Sequence, residues 1–103
     1  MIHMTDTPRD LAAQIMQHYG AENQKDILIE ECAELIQAVE KTRRIEDKPI
    51  FTADVVWEMA DVYIMLVQFE TQMTNYWRGE YEKAIMHKLR RQIERIENEE
   101  GHI

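Results

Sequence analysis

Residues 23–43 run without a glycine or a proline, and within them Ile27, Leu28, Leu35, Ile36 and Val39 recur at spacings that suit a 3.6-residue period. That stretch predicts an amphipathic helix of some six turns, and the flanking segments read the same way. Thr7 followed by Pro8 has the form of an N-cap with proline at the first helical position, and Leu11, Ile15 and Met16 give a short helix an apolar stripe that ends at Gly20. Residues 44–50 contain Pro49 and lose the periodicity, so they read as a loop before Thr52, which can cap a third helix running to about residue 73. Asn75 and Gly79 mark the next break, after which Tyr81, Ile85, Leu89, Ile93 and Ile96 form the stripe of a fourth helix that frays near Gly101. No strand pattern competes, and there is neither an internal repeat nor a low-complexity linker. Four helical segments with short connections predict an all-α four-helix bundle, with residues 1–6 disordered ahead of it.

Size and charge narrow the function classes. The 103 residues, 45% hydrophobic and 31% charged, suffice for one domain with a small core. Helices this long in a chain this small leave apolar surface to cover, so a homo-dimer or homo-tetramer is expected. A formal net charge of -8 argues against a nucleic-acid or anionic-membrane surface, since such partners select basic patches. Cys32 is the single cysteine and sits in apolar helix without a nearby histidine, which suits packing better than nucleophilic chemistry. One cysteine, no charged-then-apolar leader and no apolar stretch of about 18 residues together lead to the expectation of a soluble cytoplasmic protein. The sequence holds no glycine-rich phosphate loop, so a bound phosphate would have to be gripped by side chains and metal.

The acidic residues are placed in an unusual way. Residues 26–40 and 50–77 carry nine Asp and Glu and no Lys or Arg. Five of the nine fall in two clusters, Glu30, Glu31 and Glu34 on the second helix, and Glu58 and Asp61 on the third. The series Ile27, Glu31, Glu34, Ala38 follows helical spacing and puts Glu31 and Glu34 on one face bordering the apolar stripe, while Glu30 joins Glu34 at i, i+4. Glu58 and Asp61 are three residues apart and therefore neighbours, and between Met59 and Phe69 only Asp61 and Gln68 interrupt an apolar run. A helix apolar on all sides is normally buried, and an ionised carboxylate there is costly unless paired, hydrogen-bonded or bound to metal. Hard oxygen ligands without cysteine or histidine spacing suit Mg²⁺, with Mn²⁺ as a substitute, and Mg²⁺ completes its shell with waters and substrate phosphates. His3, His18, His87 and His102 show no metal spacing among themselves. Taken alone, Glu30, Glu31 and Glu34 also fit a solvated helix face; the second cluster makes a shared site the better reading.

The string ILIEECAELIQAVEK, followed 24 positions after its last motif glutamate by VVWEMADVYIML, resembles the E-E-x-x-E and E-x-x-D signature of the MazG-like all-α nucleotide pyrophosphohydrolases. The similarity runs from about residue 23 to residue 95 and includes Lys88-Leu-Arg-Arg91, similar to a basic tract of many members. The resemblance implies a MazG-like four-helix bundle packed in an oligomer, and a magnesium-dependent split of a nucleoside triphosphate into monophosphate and pyrophosphate. By motif position Glu31, Glu34, Glu58 and Asp61 would be the metal ligands. Glu30 matches the first motif glutamate, which could orient the attacking water, complete a second metal site or support the fold. In the implied mechanism a water activated by the metal, with help from Glu31 or Glu34, attacks the α-phosphorus. Met86 departs from the pattern, since some relatives carry Asn two positions before the lysine.

Other residues are candidates for the substrate. Lys88, Arg91 and Arg95 follow helical spacing and make a basic ridge suited to triphosphate oxygens, or equally to salt bridges with a neighbouring helix. Gln24, with Asn23 and Lys25, stands two turns before the first motif and can reach a base or a phosphate, or cap the helix. Trp57 adjoins Glu58 and offers a flat surface for a nucleobase, or a core or subunit contact. Two other functions fit the same residues: a phosphoribosyl-ATP pyrophosphohydrolase, which cleaves the same type of bond, and a non-catalytic helical dimer with a regulatory or scaffold role.

Overall fold

A computed structural model describes residues 2–101; Met1, at the head of the segment expected to be disordered, and His102, set aside as a ligand, lie outside the described residues. Those residues form four helices, α1 (Pro8–Tyr19), α2 (Ala21–Thr42), α3 (Ala53–Glu70) and α4 (Asn75–Gly101), with no strand among them. Two compact units emerge among them, one ending at Gln72 that holds α1, α2 and α3, and one beginning at Met73 that holds α4.

The helix boundaries follow from local chemistry. Thr7 accepts from the Asp10 backbone N–H and the Asp10 carboxylate accepts from the Thr7 N–H, a reciprocal capping box with Pro8 at the first helical position. Ahead of it, the His3 N–H donates to the Asp6 carboxylate at 2.7 Å and the Asp6 N–H to the His3 carbonyl at 3.0 Å, closing a small turn. Gly20 alone separates α1 from α2. Its φ of 85° and ψ of 153° lie in a region open essentially to glycine. Its N–H caps the Met16 carbonyl, and its own carbonyl accepts from Gln24. Thr52 caps α3 through its hydroxyl, which accepts from the Val55 N–H at 3.2 Å.

In the first unit α2 packs along α3, and α1 packs on both. The core is small: Ala12 and Met16 from α1, Ala38 from α2, and Val55, Met65 and Val67 from α3 are buried, together with the polar Gln24, Thr42 and Gln68. Three sequence expectations need correction. Gly79 does not mark a break but lies inside α4, because one glycine lowers helix propensity by only about 1 kcal/mol and nothing else in that turn opposes helix. The third helix stops at Glu70, short of residue 73, where the Thr71 hydroxyl donates to the Gln68 carbonyl. The apolar run of α3 is not buried on all sides, since Val56, Trp57, Met59, Tyr63 and Ile64 remain exposed. A unit of three helices has a single interior, which one face of α3 fills. The α4 stripe of Ile85, Leu89, Ile93 and Ile96 is likewise exposed, and α4 holds no buried residue. No helix of the described residues is long and apolar enough to cross a membrane.

Truncating Met16, 2% exposed between α1 and the other helices, to alanine should destabilise the fold by about 2–4 kcal/mol. A chemical-denaturation midpoint that drops accordingly, with unchanged helicity of the folded baseline, is the expected result.

Candidate metal centre

α2 and α3 meet in a fixed antiparallel register, visible as three polar rungs. At one level the Gln24 Nε2 donates to the Gln68 Oε1 at 2.8 Å. Seven residues further along α2 and seven back along α3, the carboxyl groups of Glu31 and Asp61 stand close together. Three residues beyond that, Glu34 and Glu58 do the same. Steps of seven and three keep side chains on one face of each helix, so both helices turn their polar rungs toward the same seam.

The outcome is a knot of four carboxylates. Glu31, Glu34, Glu58 and Asp61 each offer an oxygen, and these four atoms lie within 4.8 Å of one another. Glu31 and Glu58 are half-buried, and one oxygen of each, Oε2 in both cases, is shut away from solvent without a hydrogen-bond partner. Partial burial, the charges of Asp61 and Glu34, the closeness of the Asp61 carboxyl and the charge of Glu58 all push Glu31 upward, to about 7. Glu58 is also raised, first by loss of solvent and then by the charges of Glu34 and Asp61, the closeness of the Glu34 carboxyl and the charge of Asp54. Every influence on these two groups acts in the same direction. The ion pairs Lys25–Glu22, Arg43–Glu40 and Lys83–Glu80 lie on exposed surface between residues of one helical turn or its margin, and none of them involves the four.

The four residues that the resemblance implied as ligands by motif position are the four that converge. Glu30 is exposed on α2 and stands outside the cluster. Trp57 is exposed on α3. Lys88, Arg91 and Arg95, with Gln92, border one groove along α4, so the expected basic ridge is a single face of that helix. Gln24 is buried: it donates to Gln68 and accepts from the Asn23 amide at 2.8 Å, which gives it a place between helices rather than at an open surface. The partner it needs, Gln68, carried a legible signal as a polar residue in an apolar run, seven positions from Asp61, yet no role followed from the sequence alone. Compared with protein-family models, curated proteins and solved structures, the chain matches none.

Two unpartnered carboxyl oxygens beside two more carboxylates form a donor set fitted to a hard divalent cation such as Mg²⁺ or Mn²⁺. A carboxyl raised in the folded state binds a proton that the unfolded chain has released, so its stabilising contribution is complete below the ordinary value of 4.5 and lost as pH rises through about 7. With chelator present, the melting temperature should therefore fall between about pH 4.5 and 7 through the Glu31 contribution and level off above. Millimolar Mn²⁺ should reverse the fall by taking the place of the proton. Melting curves across that range, with and without Mn²⁺, check it.

Proposed function

We propose that the chain is a magnesium-dependent nucleoside triphosphate pyrophosphohydrolase that cuts at the α-phosphorus to give a nucleoside monophosphate and pyrophosphate. The observation that carries this reading is the convergence of Glu31, Glu34, Glu58 and Asp61 with two buried oxygens left unpaired. The resemblance of their two motifs to the MazG-like signature supports the choice of reaction.

Glu31, Glu34, Glu58 and Asp61 would hold the ion, with Mg²⁺ as the natural occupant and Mn²⁺ as a substitute. Bound there, it would neutralise the carboxylates and the charge that develops on the departing pyrophosphate. The protein's own groups divide the remaining work. Ligation requires an ionised Glu31, so the proton it retains up to about pH 7 must leave when the site is filled. Glu34 is the exposed glutamate of the cluster and is the group proposed to orient the attacking water and take its proton. Glu30, one residue from Glu31 and outside the cluster, is suited to steering water toward Glu34. Lys88, Arg91 and Arg95 are the proposed phosphate contacts, on the charge of their shared face. Trp57 keeps its place as a stacking surface for a base.

A homo-oligomer forms part of the same proposal. Pro8, Leu11, Ile15, Tyr63 and Ile64 line an apolar groove of about 270 Å³ between α1 and α3. Phe51, Val56 and Met59 extend that apolar surface along α3. A continuous apolar face of this kind on a small acidic chain is accounted for by a second copy.

Glu34→Gln should lower pyrophosphate release by at least about a hundredfold, while the melting temperature of the metal-free protein stays level or rises because one repelling charge is gone. Pyrophosphate release over a panel of canonical and modified triphosphates with Mg²⁺, with phosphoribosyl-ATP beside them, assigns the substrate. No release from any of them, together with no Mg²⁺-dependent thermal shift, would leave the scaffold reading in its place. Tyr63→Glu combined with Ile64→Glu should shift the species seen by light scattering toward the monomer mass.

A further inference from the structure

The two acidic rungs cannot hold their own register. Each brings carboxylates together in a cluster whose four oxygens lie within 4.8 Å of one another, so without a cation between them their charges push α2 and α3 apart or along each other. The connection between the helices spans residues 43–52 and is long enough to tolerate an axial shift. Much of the remaining contact is apolar, and apolar packing is non-directional. The Gln24–Gln68 rung is both directional and sealed from solvent: the two residues are 4% and 2% exposed, and they bond at 2.8 Å. Neighbours fix both amides. Asn23 donates to the Gln24 oxygen, and the Gln68 Nε2 lies 3.4 Å from the Met65 sulfur. A slip of one helical turn would bury two unpaired amides, and an unpaired buried polar group is expensive.

We infer that Gln24 and Gln68 are positioning residues of the carboxylate site: their hydrogen bond, seven residues from Glu31 on α2 and seven from Asp61 on α3, sets the axial register that brings the four carboxylates together. The inference rests on the metal-site reading for its functional meaning, but the register itself can be read without any metal. Removing one glutamine should weaken folding, because the other amide is orphaned. Removing both in favour of leucine restores a matched apolar pair that no longer specifies an axial position.

The test uses wild type, Gln24→Leu, Gln68→Leu and the double variant, each as the full chain. Nitroxide labels go on cysteines placed at exposed Glu22 and Asp54 in a Cys32→Ser background, diluted with unlabelled protein. In the observed register these sites lie near opposite ends of the helix pair, about 24 Å apart along the axis, and a one-turn slip changes that by about 5 Å. Pulsed electron resonance on the metal-free protein should give one narrow distance for wild type and a displaced or broadened distribution for the double variant. Thermal melting should show both single variants destabilised and the double variant restored to near wild type. Mn²⁺ titration should then show the double variant binding at least tenfold more weakly despite its recovered melting temperature. A double variant with the wild-type distance distribution, or with wild-type Mn²⁺ affinity, overturns the inference. Failure of wild type to bind Mn²⁺ overturns the metal reading instead, and the label distances still decide the register.

Discussion

Four carboxylate oxygens within 4.8 Å of one another repel unless protons or a cation stand between them, and α2 and α3 keep them there. The burial of Gln24 and Gln68, the closeness of Glu31 to Asp61 and the raised proton affinity of Glu31 and Glu58 are consequences of one antiparallel alignment. A fold that merely needed a core would gain from apolar residues at these positions, since replacing buried polar groups by well-packed hydrophobic ones is often neutral or stabilising. The charge gathered on this seam is what the metal-site proposal starts from.

α3 serves two surfaces at once. Val55, Met65 and Val67 face inward, and Glu58, Asp61 and Gln68 meet α2, whereas Val56, Met59, Tyr63 and Ile64 look outward. A helix apolar around most of its circumference cannot satisfy all its faces in a unit of three helices. The proposed second copy and the acidic seam therefore share one rigid element, and a change in the packing of its outer face acts on a helix that also carries two of the four carboxylates.

Much of this was readable in the sequence, for identifiable reasons. Thr7-Pro8 and Thr52 announced helix starts because cap chemistry is local, and Gly20 announced a stop because its backbone conformation excludes other residues. Glu31 with Glu34, and Glu58 with Asp61, were legible as pairs since helical spacing alone sets i, i+3 neighbours. Their convergence was an inference from the missing counterions. What stayed hidden depended on partners distant in sequence. Gln24 and Gln68 are 44 residues apart, and nothing near either names the other. Gly79 misled because a glycine breaks a helix only when its surroundings also favour a turn. The exposure of the α3 and α4 stripes was illegible because periodicity shows which face is apolar and not what covers it.

Gly20 carries one more consequence. A joint of a single residue has no slack: its N–H is tied to Met16, its carbonyl to Gln24 and its dihedral angles to a region only glycine occupies comfortably. The change of direction between α1 and the amino end of α2 therefore depends on this one residue being glycine. Nothing lies within 4 Å of where a side chain here would begin, so any replacement would be opposed by the backbone alone and not by crowding.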